Sequence, residues 1–314
     1  MARGPDVDLS VAIGDIRLSS PIIAASGTFG HGDEVARVCD PRRLGAVTTK
    51  SQAPFEWPGN PPPRLHPASA GMVNAVGLQG HGVAHWVAHD LPALRARGAT
   101  VIASIWGHSV DDYAAAAALL ASATGDLAAV EVNLSCPNAK HDSMIFAHEA
   151  GATADVVRAV VGAQVGIPIL AKLSAGVADL PAIAAAALQA GATGLTLVNT
   201  VRAFLIDPEA RRPVLGSAGG GLSGPAIKPI ALRAVHDVSR AHPGVPIIGT
   251  GGVASGLDAV EMLLAGATAV GVGTATFLEP RATLRILDEL TKWCVKHDVE
   301  RVEALVASLR WDEA

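Results

Sequence analysis

Short, mostly apolar runs alternate with longer segments of helical period along most of this chain. The runs fall at 21–25, 46–49, 101–105, 129–133, 169–173, 194–198, 246–249 and 269–271. Their near-continuous apolar character, without polar residues at every second position, predicts strands buried on both faces. Helices are predicted at 111–124, at 154–165 with Thr153 as N-cap, at 180–190, 226–241 and 256–265, and in a long segment from Arg281. Eight strands in a βα alternation predict a single-domain (β/α)8 TIM barrel, with the doubly wound sheet as competitor. The positions of the polar residues favour the barrel. Ser26, Lys50, Ser104, Asn133, Lys172, Asn199, Gly251 and Gly273 each stand at or near the C-terminal end of a predicted strand. In a barrel those ends share one face and surround one pocket. The segments 54–67 and 202–224 are too long for plain βα loops, and as inserted active-site loops they are expected to wall or cover that pocket.

At 314 residues, half of them hydrophobic and 17% charged, the chain can bury a large core as one domain. A net charge of −5 without a basic cluster removes the electrostatic footprint expected of a nucleic-acid or anionic-membrane binder. The first residues carry Arg3, Asp6 and Asp8 with no continuous apolar stretch, and the alanine-rich run at 114–121 is too short to span a bilayer, so a cytoplasmic protein is expected. Cys39, Cys136 and Cys294 are far apart and form no Cys-x-x-Cys pair, which points to free thiols.

Candidate chemistry concentrates after the run at 129–133, where Cys136 sits in a turn with Asn133, Ser135 and Asn138. A thiol released at a strand end among amides is placed to move a proton at a bound ligand; the competing reading is a small buried core residue. Gly249-Thr250-Gly251-Gly252-Val253-Ala254 fits G-x-G-x-x-A, but no acidic residue follows at the next strand end to hold a ribose. The second glycine segment, 219–224, follows Arg211-Arg212-Pro213 and lacks a clean preceding strand. In a barrel, Gly251-Gly252 and Gly273-Thr274 occupy the loops after strands seven and eight, the usual place for one phosphate. Lys50 and Lys172, at strand ends, are expected to face the pocket, as cations beside a reduced flavin or a substrate carboxylate, with a Schiff-base lysine as the alternative. His81, His85 and His89 have metal-ligand spacing on a helix, but with Asp90 as the one nearby carboxylate they read as a solvated face.

Taken in order, several motifs resemble one family. Lys50-Ser51, Gly59-Asn60-Pro61-Pro62-Pro63-Arg64, Asn74-Ala75-Val76-Gly77-Leu78-Gln79, Asn133-Leu134-Ser135-Cys136-Pro137-Asn138, Asn199-Thr200 and Gly220-Gly221-Leu222-Ser223-Gly224-Pro225 resemble the class 1 dihydroorotate dehydrogenases, most strongly class 1B. The resemblance covers nearly the whole chain. It implies an FMN barrel that oxidises dihydroorotate to orotate in pyrimidine synthesis. Cys136 is implied as the base for the C5 proton, with Lys50, Asn74, Ala75, Val76, Gly77, Leu78, Asn133, Asn138, Asn199 and Thr200 around the pyrimidine. Ser26, Lys50, Ser51, Ser104, Asn133, Lys172, Val198, Gly224, Gly251, Gly252, Gly273 and Thr274 are implied around FMN. It further implies a homodimer and an electron-transfer subunit carrying FAD and a 2Fe-2S cluster. Other readings are a paralog acting on another dihydropyrimidine and a flavin-binding barrel without turnover.

The chain departs from the family pattern at Gly80-His81, at Lys140-His141-Asp142-Ser143, at Arg202-Ala203-Phe204, and at Ser104, where class 1B usually has asparagine. A hydroxyl reaches less far and donates fewer hydrogen bonds than an amide, so Ser104 is expected to grip the flavin less tightly, and Ser104→Asn to tighten it.

Overall fold

The computed structural model describes residues 7–135, 146–217 and 219–310. Eight strands close into a parallel barrel: Ile22–Ala24, Ala46–Thr48, Val101–Ile105, Ala129–Asn133, Ile169–Leu173, Gly194–Leu197, Ile247–Thr250 and Ala269–Val272. Each pairs with its neighbour in chain order, and the last pairs with the first. Every predicted strand is present within one residue of its expected ends. Continuous burial along these strands explains why periodicity located them so well: both faces are covered, by helices outside and by side chains within.

The outer helices are Val83–Ala96, Val110–Leu120, Ala150–Gly162, Leu180–Gln189, Lys228–Ala241, Gly256–Ala265 and Ala282–Lys296. Three predicted helices have different bounds. The helix expected at 154–165 begins at Ala150, because the Thr153 hydroxyl donates to the Phe146 carbonyl at 2.9 Å from inside the first turn and so does not cap it. The helix expected at 226–241 begins at Lys228, after a 3-10 turn over Pro225–Ile227. The segment 111–124 divides into Val110–Leu120 and a 3-10 stretch, Ala121–Asp126. His85 and His89 stack at 4.2 Å on the exposed face of Val83–Ala96, and His81 precedes that helix. Among the described residues no group of three or more His, Cys, Asp or Glu could hold a metal ion.

Described residues of both inserted segments form strands. Leu65–Ala68, Gly71–Asn74, Val201–Ala203 and Gly220–Ser223 form a four-stranded antiparallel sheet at the mouth of the barrel. Its register sets Asn74 opposite Gly221, and the Asn74 amide donates to the Gly221 carbonyl at 3.3 Å. Gly220–Ser223 is therefore sheet backbone, which removes the glycine segment 219–224 as a phosphate loop. At the opposite end a hairpin, Val11–Ile13 and Ile16–Leu18, turns at Gly14 against Thr193, just before a barrel strand, and adds Val11, Ile13 and Leu18 to the core. Among the described residues no helix is long and apolar enough to cross a membrane.

Candidate active site

The strands' C-terminal ends and the mouth sheet enclose a cavity of about 650 Å³. Ser26, Lys50, Ser51, Asn133, Lys172, Val198, Asn199, Thr200, Gly251, Gly252, Gly273 and Thr274 line it from the barrel. Asn74, Val76, Gly77, Leu78 and Gly224 line it from the mouth sheet and the loops joined to it. Two sequence-predicted residues do not line it. Ala75 is buried with Val73 and Leu215 in the small core of the mouth sheet. Ser104, 1% exposed, lies behind the wall. Cys136 and Asn138 fall outside the described residues, as does the departure at Lys140 to Ser143.

A directional hydrogen-bond network forms the cavity wall. The strand Ala129–Asn133 turns Glu131 and Asn133 to the same side, into the barrel. The Tyr113 hydroxyl ties the end of that strand to the helix Val110–Leu120 by donating to the Asn133 carbonyl at 2.7 Å. The Asn133 amide donates to Ser51 Oγ at 3.0 Å, and Ser51 lies 2.8 Å from Ser104 Oγ. Asn199 donates to Asn133 Oδ1 at 3.2 Å and to Ser135 Oγ at 3.1 Å. Lys172 is matched by Glu131, a carboxylate that periodicity read as part of a buried strand and did not mark. Its Nζ lies 3.3 Å from Glu131 Oε1, and both side chains are nearly sealed from solvent. One sequence signal could have marked Glu131: an acidic residue within an otherwise apolar barrel strand.

At the other end the turn after Ile247–Thr250 is bound tightly to two helices. Gly252 has φ of 77°, and a Cβ there would sit 2.6 Å from the backbone nitrogen of Lys228. Asp258 clamps the same turn, accepting from the Ala254 N–H, the Ser255 hydroxyl and Lys228 Nζ at 2.9, 2.9 and 2.6 Å. Burial pushes the Asp258 carboxyl up, but these hydrogen bonds outweigh it and hold the group below its ordinary value. Arg285, also missed from sequence, lines this end and is held by Glu279, Glu289 and the Ala254 carbonyl. Cys39 and Cys294 are both buried free thiols, and Cys39 Sγ is 3.1 Å from Thr283 Oγ1.

The fold and this cavity define a (β/α)8 barrel with a cavity at its C-terminal mouth, lined by two lysines and by the glycine turns after the last two strands. Comparison with known proteins narrows that class. A model of the dihydroorotate dehydrogenase family matches residues 8–293, and the chain belongs to that family. It is 43% identical over 302 residues to the catalytic subunit of dihydroorotate dehydrogenase B (NAD(+)) from Geobacter sp. (strain M21), covering 96% of this chain and 98% of the relative. It is 44% identical over 305 residues to the putative dihydroorotate dehydrogenase A (fumarate) of Solibacter usitatus, covering 96% and 99%. A solved structure of DHODH from Eimeria tenella in complex with ferulenol superposes with a TM-score of 0.78 at 22% identity, over 97% of this chain and 89% of that one, a likeness of fold.

Proposed function

We propose that this chain oxidises (S)-dihydroorotate to orotate in pyrimidine synthesis, with FMN bound across the barrel mouth. The observation that carries the proposal is the family match over 8–293, together with a cavity lined by Lys50, Asn74, Asn133 and Asn199 on one side and by Gly251-Gly252 and Gly273-Thr274 on the other. Its volume lies within the range of cofactor sites. The donor set also suits FMN: backbone turns for a phosphate, a lysine for the ring and serines at Ser26 and Ser51.

In this reading Lys172, Ser26, Ser51, Val198, Gly224, Gly251, Gly252, Gly273 and Thr274 hold FMN. Asn74, Val76, Gly77, Leu78, Asn133, Asn138, Asn199 and Thr200 hold the pyrimidine. Lys50 meets its carboxylate and the flavin edge. Ala75 supports the turn from behind. Asparagine suits the imide edge because one amide offers both a donor and an acceptor. FMN, when bound, supplies the two-electron acceptor for the hydride from C6. Cys136 takes the C5 proton, and the C5–C6 double bond forms as the two leave. The test is the absorbance spectrum of the purified protein: one FMN per chain, bleached by anaerobic dihydroorotate. Colourless protein that cannot be reconstituted, or a bound flavin that dihydroorotate leaves oxidised, defeats the reading.

We further propose a homodimer in the cytoplasm that passes electrons to a second subunit carrying FAD and a 2Fe-2S cluster; the relatives named as catalytic subunits support the partner subunit alone. The putative fumarate-type relative, 44% identical, supports a second reading in which fumarate reoxidises this chain directly. Turnover of the isolated chain with fumarate separates the two.

A further inference from the structure

Glu131, 2% exposed, does not line the cavity, whereas its partner Lys172 does. An ionised carboxylate can only accept hydrogen bonds, and this fixes the direction of every bond leading to it. Glu131 Oε1 accepts from Lys172 Nζ at 3.3 Å and from Ser104 Oγ at 3.2 Å. With the Ser104 proton committed to Glu131, Ser51 must donate to Ser104, so the Asn133 amide N–H must donate to Ser51. Asn133 Oδ1 is thereby turned to Asn199, whose amide donates to it at 3.2 Å. One buried charge thus orients a chain of polar groups across five barrel strands or their ends. An apolar residue would fill the same interior without the hydration that both ions lose on burial. Serine at 104 makes the link, because its hydroxyl can receive from Ser51 while donating to Glu131.

We propose that Glu131 is a positioning residue for this reaction: it aims the Lys172 ammonium and offsets its charge, and through Ser104 and Ser51 it sets which way Asn133 presents its amide to the cavity. The inference rests on the FMN and dihydroorotate reading, since Lys172 and Asn133 are the groups through which Glu131 acts.

Two variants of the FMN-loaded protein test it, read by the flavin midpoint potential, by orotate titration of the flavin spectrum and by thermal melting. Glu131→Gln removes the negative charge, so the potential should become more positive, because the unopposed ammonium favours the reduced, anionic ring. A glutamine can also donate, which frees the chain to reverse, and orotate should bind about fivefold or more weakly, the worth of one hydrogen bond. Ser104→Ala leaves the Lys172–Glu131 pair and cuts the chain: the potential should stay at the wild-type value while orotate weakens by a similar factor. Wild-type potential and orotate affinity in Glu131→Gln, with only a lower melting temperature, would make Glu131 structural and overturn the proposal. So would a more negative potential. Should Glu131→Gln not fold, Ser104→Ala decides, and unchanged orotate binding there overturns it. Wild-type protein that takes up no FMN defeats the functional reading; variants that do not shift in an FMN-loaded protein defeat only this one.

Discussion

Cys136 carries the sharpest prediction at the scale of single residues. Cys39 and Cys294 are buried in the core, and burial pushes both thiols up, away from reactivity. Cys136→Ala should slow flavin reduction by dihydroorotate about 10²–10⁴-fold, the usual cost of losing a general base, while FMN stays bound. A free thiol titrates near pH ~8.5, so the wild-type rate should climb towards that pH, and Cys136→Ser should need a higher one. Stopped-flow reduction at several pH values checks both; a wild-type rate in the alanine variant together with a lower melting temperature would make the residue packing. Gly252 offers a second test. With φ at 77° and Lys228 backbone against it, Gly252→Ala should cost about 1–3 kcal/mol and weaken FMN, measured by melting and by cofactor titration. The expectation that Ser104→Asn tightens FMN gives way to the structure. A larger amide behind the wall must displace Ser51 or Glu131, and overpacking of about 1–3 kcal/mol is the expected result.

Between secondary elements, the clamp on the turn after Ile247–Thr250 links the proposed phosphate site to solution pH. Asp258 joins that turn to the start of Gly256–Ala265 and to Lys228 at the head of Lys228–Ala241. Its folded-state value lies below the ordinary 3.8, so its contribution is fully present above that pH and is lost as pH falls through the folded value. Asp258→Asn should therefore lower the melting temperature near neutral pH, by an amount comparable to losing a helix cap, about 1 kcal/mol. The gap between variant and wild type should close in strong acid. A gap that persists unchanged in strong acid would show that the carboxylate charge is not what the clamp uses. The mouth sheet is the other element that matters, because pairing Gly71–Asn74 with Gly220–Ser223 brings Asn74 to the cavity that Asn199 and Thr200 also line.

For the whole molecule, the cavity opens at the C-terminal end of the barrel, and a ligand bound there should act as a stabiliser. At a free FMN concentration one hundred times Kd, binding adds about 2.7 kcal/mol to stability by mass action. Apoprotein should melt lower than holoprotein, and the difference should grow with added FMN; melting independent of FMN would place the flavin elsewhere or nowhere.

The barrel was legible from the chain because its strands are buried on both faces: a run such as 101–105 has no alternation to misread, and eight of them in order permit few topologies. The strand-end polar residues were legible for the same reason, since an amide or lysine that ends an apolar run stands out. The mouth sheet was not legible. Its strands are three or four residues long and rich in glycine, and the pairing that joins Gly71–Asn74 to Gly220–Ser223 spans more than a hundred residues. Local pattern carries no record of such pairing. Nor could the chain alone show that Ser104 stands behind the wall, or that Glu131 faces Lys172. Which buried polar groups meet depends on barrel register and closure, and those distances exist only once all eight strands are in place.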